Sequence, residues 1–94
     1  MSYKLLAKIF PILRHSPEDQ AVVRGAMKRL KMMGSLLKTA QVLRSIPGCT
    51  VIITHEDHKT VCAVHKRTDH RQETGEHLAD IYLNGYGEAK IKWQ

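Results

Sequence analysis

The chain's 94 residues suffice for one domain and not for two, and its 43% apolar and 26% charged content argues against a disordered chain. No apolar run nears the roughly 20 residues of a membrane-spanning helix, because Lys8, Arg24, Lys28 and Lys38 interrupt every candidate. The net charge of +6 is unevenly divided: residues 1–48 hold nine basic and two acidic side chains, residues 49–94 six basic and seven acidic.

Residues 1–48 read as a helical basic half. Leu5, Leu6, Ile9, Ile12 and Leu13 recur at helical spacing in Tyr3–His15, with Pro11 kinking or shortening that helix. Ser16-Pro17-Glu18-Asp19 is a helix start: a capping hydroxyl, a proline suited to the first turn, and two acids facing the positive end of the dipole. From there Val22, Val23, Ala26, Leu30, Met33, Leu37 and Ala40 share one arc. Gly34-Ser35 either weakens one long helix or joins two in a hairpin. Drift of Leu36 and Leu43 off the arc favours two, the second over Leu36–Ile46. Ile46-Pro47-Gly48 ends the helical half.

Residues 49–94 read as mainly β. Thr50–Thr54 and Thr60–Val64 are rich in β-branched residues around a polar connector. Pairing Ile53 with Val61 and Val51 with Ala63 gathers apolar side chains on one face and implies a loop of three or five residues. Leu78–Leu83 reads as a strand, with a short helix over 76–83 as the alternative. Asn84-Gly85 is a hairpin signal before Glu88–Trp93, where Ala89, Ile91 and Trp93 alternate inward. The expected fold is therefore a single α+β domain over 1–94: two or three N-terminal helices packed on a small antiparallel sheet built from one or two C-terminal hairpins.

The basic excess locates a candidate binding face. On a helix over 17–40, Arg24, Lys28, Lys31 and Lys38 fall within about 80° of arc opposite the apolar positions. No acid lies between Asp19 and Glu56 to neutralise them. Such a row suits phosphate contact, because each contact releases condensed counterions whatever the base sequence. A helix-turn-helix over Gly34-Ser35 would add Arg44 as a reading side chain, and Tyr86 between glycines is the aromatic best placed for an exposed contact. The expected function is a small basic binding or regulatory protein contacting nucleic acid phosphate. The alternative is a protein-interaction module, an inhibitor or adaptor docking on an acidic protein surface.

The histidines and cysteines carry less. His55, His58, Cys62 and His65 have a metal-like rhythm, but strand geometry spreads them over too long a distance for zinc. His55 and His58 alone could hold a metal weakly across the loop; no native metal or cofactor is expected. Glu73, His77 and Asp80 share a face only on a helix, and a strand scatters them. No catalytic motif is found, so an enzyme is not expected. Two cysteines are too few for a disulfide framework, and no secretory pattern opens the chain, so a cytoplasmic setting with both thiols free is expected. Modest burial at this size makes a homodimer a further expectation.

Overall fold

A computed structural model describes residues 8–67, 75–84 and 88–94. In chain order they form a 3₁₀ turn (Pro11–Arg14), helix α1 (Pro17–Met33), a second 3₁₀ turn (Gly34–Lys38) and strands β1 (Gln41–Leu43), β2 (Cys49–Glu56), β3 (Lys59–Lys66), β4 (His77–Leu83) and β5 (Ala89–Trp93). The strands make one antiparallel meander in the order β1-β2-β3-β4-β5, with α1 packed on one face.

Helix α1 starts where its caps dictate. Ser16 is extended and its hydroxyl accepts from the Asp19 N–H at 3.1 Å, with Pro17 in the first turn. The Gln20 side chain reaches back to the Ile12 and His15 carbonyls at 3.1 and 3.0 Å, fastening the first 3₁₀ turn to the helix. Asp19 also pairs with Lys66 Nζ at 3.2 Å, which ties the start of α1 to the end of β3. Val23, Ala26 and Leu30 are the buried stripe.

The architecture corrects the expected fold. Among the described residues one α-helix, α1, rather than two or three, covers a five-stranded sheet rather than one or two hairpins. Of the expected Tyr3–His15 helix, residues 1–7 lie outside the described residues and Pro11–Arg14 are a 3₁₀ turn. Gly34 does end the helix, at φ +30°, but the next element is a single 3₁₀ turn that brings only Leu37 into the core. The segment expected as helix Leu36–Ile46 instead supplies edge strand β1, pairing Gln41 with Ile53, Val42 with Ile52 and Leu43 with Val51. Three ladder pairs satisfy the edge of β2 and carry Leu43 to the core, a tertiary gain that outweighs a short helical pattern. The helix-turn-helix reading falls with it.

The β2–β3 register also differs by one residue. Asp57 and His58 both take positive φ, +48° and +64°, the pattern of a two-residue type I′ turn. Ile53 therefore faces Cys62 and Val51 faces Val64, so Val61 and Ala63 turn to the opposite face. One slip exchanges faces for the whole strand. The core is Cys49, Val51 and Ile53 of β2, Cys62 and Val64 of β3, and Leu78, Ala79 and Ile81 of β4, closed by α1, Leu37 and Ile46. Residues 77–83 are strand, not helix.

A register shift at Val64/His65 pairs Val64 with Ala79 and His65 with His77, leaving Leu78 as the extra residue of a bulge. Both Leu78 and Ala79 are consequently buried. β5 pairs Trp93 with Ala79, Ile91 with Ile81 and Ala89 with Leu83, as its alternation predicts. Asn84 closes this hairpin, its side-chain oxygen accepting from the Glu88 N–H at 3.0 Å. The His15 ring lies 5.8 Å from that of Trp93 and its Nε2–H donates to the Gln94 main-chain oxygen at 2.7 Å.

Two buried features give predictions. Thr50 is fully buried and its hydroxyl has no hydrogen-bond partner among the described residues. An unsatisfied buried hydroxyl costs about 1–3 kcal/mol, and valine has nearly the same shape. Thr50→Val is expected to stabilise the fold by about 1 kcal/mol in urea unfolding; a loss of stability would show that the hydroxyl is used. Cys49 and Cys62 are free and buried, and burial pushes the Cys62 thiol from 9.0 up to about 11 and raises that of Cys49, against the smaller pull of Arg67. The native thiols should resist an aromatic disulfide reagent at pH 8 and react fully once unfolded. The neutral thiol is the form the fold prefers, so stability should be flat below about pH 9 and fall as pH rises from there towards the raised folded values. Rapid labelling of the folded protein would contradict this burial.

Candidate polyanion interface

The helix places its cations by exclusion. With Val23, Ala26 and Leu30 turned to the sheet, Arg24, Lys28, Arg29 and Lys31 are left exposed. Arg24 to Lys31 covers about 10 Å of helix axis at 1.5 Å per residue. None of the four forms an ion pair among the described residues. The described acids lie elsewhere: Glu18 and Asp19 at the start of the helix, Asp19 held by Lys66, Glu56 and Asp57 at the β2–β3 turn, Glu76 next to β4, Asp80 on His77 and Glu88 on Asn84.

The other expected contact residues are distributed differently. Lys38 is exposed but sits on the second 3₁₀ turn, so it does not continue the arc of Arg24, Lys28 and Lys31. A 3₁₀ turn advances 120° per residue, and Gly34 breaks the phase first. Arg44 is exposed in the β1–β2 connection and is already engaged by an interaction of its own, so it is no free reading side chain. Tyr86 lies outside the described residues. Arg29 adds a fourth exposed cation on the flank of α1 beside Ile46, off the arc of the other three.

Lys31 and Lys38 instead meet across a cleft of about 330 Å³ at the C-terminal end of α1. His58, Thr60 and Asn84 join them, over Leu37 and Leu83, with Leu30 beneath. The left-handed turn conformation of His58 puts this residue there. Thr60 Oγ and His55 Nδ1 are 3.0 Å apart, and the Asn84 amide donates to the Glu88 carboxylate at 3.0 Å. No single stretch of sequence announces this grouping.

His55 and Cys62 share a sheet face, contrary to the expected register, but Cys62 is buried at its pairing with Ile53 while His55 is exposed. Among the described residues no three His, Cys, Asp or Glu side chains are grouped to hold a metal ion. A second departure is His77 with Asp80. They lie on a strand yet touch, the His77 Nε2–H donating to Asp80 Oδ1 at 2.8 Å, because the bulge at Leu78 returns both to one face. The His65 ring stacks on His77 at 4.8 Å. Glu73 lies outside the described residues. This group offers an imidazole oriented by a carboxylate.

The described residues are thus an α-helix laid on an antiparallel meander, with a cationic helix face that no described acid compensates. No protein-family model, curated protein or solved structure matches the chain. No helix among the described residues is long and apolar enough to cross a membrane.

Proposed function

We propose that the protein binds nucleic acid by phosphate contact through the outward face of α1, with Arg24, Lys28, Arg29 and Lys31 as the contacting side chains. The observation that carries this reading is the exposure of all four on one rigid helix with no acid on its outward face beyond the first turn. A solvated helix face ordinarily mixes both signs. Here only one sign is present, and a phosphate backbone supplies the other as a regular array. Contact of this type positions the protein without reading bases.

Binding to a labelled 20-base-pair duplex, measured across a salt series, tests it. Three to four phosphate contacts predict a slope of roughly −3 in log affinity against log salt. Replacing Lys28 and Lys31 together by Glu should weaken binding at least about tenfold and bring the slope towards −1. An unchanged slope and affinity would reject the site.

A second reading has its own support. Met32 is 81% exposed and borders a hollow with Lys28 and Arg29, and an exposed apolar side chain beside cations suits an acidic protein surface. That reading predicts a stoichiometric complex that persists at about 0.5 M salt, where phosphate contacts have largely gone.

A further inference from the structure

Beyond the helix face, we propose that the cleft at the C-terminal end of α1 binds a small phosphomonoester, its phosphate between Lys31 and Lys38 and its apolar body on Leu37 and Leu83. Five polar or cationic side chains, Lys31, Lys38, His58, Thr60 and Asn84, converge on it from the helix, the 3₁₀ turn, the β2–β3 hairpin and the end of β4. None of its described lining residues is acidic, and Glu88, on which the Asn84 amide is held, lines the neighbouring hollow.

The simplest competing account is that both lysines merely answer the negative end of the helix dipole. That end carries about half an elementary charge, whereas two lysines bring two and neither pairs with any described group. The surplus is positive and faces a concave, partly apolar space. A bare phosphate would leave the leucine floor wet, so an ester with an apolar or planar body fits better than the inorganic ion. The volume of about 330 Å³ lies at the small end for ligand sites and suits a ligand no larger than a mononucleotide. His58 stands at the rim, where its ring can donate to a phosphate oxygen or stack on a planar body.

Titration by isothermal calorimetry or amide chemical shifts with phenyl phosphate and with adenosine monophosphate tests this. Saturable binding is expected for at least one, at least about tenfold tighter than inorganic phosphate or phenol alone. Lys38→Gln, at an exposed position outside α1, should weaken it about tenfold with the thermal midpoint unchanged. Lys28→Glu, remote from the cleft, should leave it within about twofold while weakening duplex binding, which separates this site from the helix-face reading. No saturation by about 10 mM, or identical binding by the Lys38→Gln protein, would overturn the proposal. So would tighter binding of inorganic phosphate than of either ester, which would leave the apolar floor without a role.

Discussion

Leu30→Ala is expected to lower the unfolding free energy by about 3 kcal/mol. Leu30 is fully buried, comes from the middle of the stripe that α1 lays on the sheet, and lies in one core with Val23, Ala26, Ile53 and Ile81. Removing its isobutyl group leaves a cavity that a rigid antiparallel sheet cannot close, so both the lost transfer energy and the cavity count. In a domain of this size, about 3 kcal/mol corresponds to a fall in thermal midpoint of roughly 12–24 °C. Urea unfolding of Leu30→Ala beside Leu36→Ala gives the contrast, since Leu36 is 64% exposed and should cost little. Equal effects of the two substitutions would contradict the orientation of α1.

The second large effect comes from backbone rather than core. At Gly75 a β-carbon would lie 2.3 Å from the Lys66 carbonyl oxygen, a main-chain atom that cannot rotate away. Gly75 donates its N–H to that same carbonyl at 3.0 Å, and Lys66 donates to the Glu76 carbonyl at 2.8 Å. Gly75→Ala must therefore push the end of β3 from the start of β4, just beside the bulge that buries Leu78. Overpacking of this kind costs roughly 1–3 kcal/mol, and two strand-end hydrogen bonds would be strained with it. The expected signs are a midpoint shift in urea and faster amide exchange at Lys66. A stability within about 0.5 kcal/mol of the parent would show that the two segments are not so closely apposed.

What could be read from the sequence was mostly local chemistry. The cap at Ser16, the break at Gly34 and the inward alternation of Ala89, Ile91 and Trp93 each depend on neighbours within a few residues. Strand β1 was hidden because Leu36, Leu37, Ala40 and Leu43 keep near-helical spacing, while its three-residue ladder is decided by the needs of β2. The β2–β3 register was hidden because the turn uses Asp57-His58 in left-handed conformation without a glycine to advertise it. The contact of His77 with Asp80 depends on a bulge that no periodicity encodes. The same contrast holds at the candidate sites. The exposed cations of α1 follow from helical phase alone, whereas the cleft joins residues 31, 38, 58, 60 and 84, which only the tertiary fold brings together.

The claim that α1 carries the contact with nucleic acid is tested most directly by lysine acetylation with and without a saturating duplex, read residue by residue by mass spectrometry. Lys90 and Lys92 are exposed on β5, on the sheet face turned away from α1, and serve as internal references. The account predicts that Lys28 and Lys31 become protected, each at least about threefold, while Lys90 and Lys92 react as before. Protection of Lys90 and Lys92 with Lys28 and Lys31 left fully reactive would contradict it.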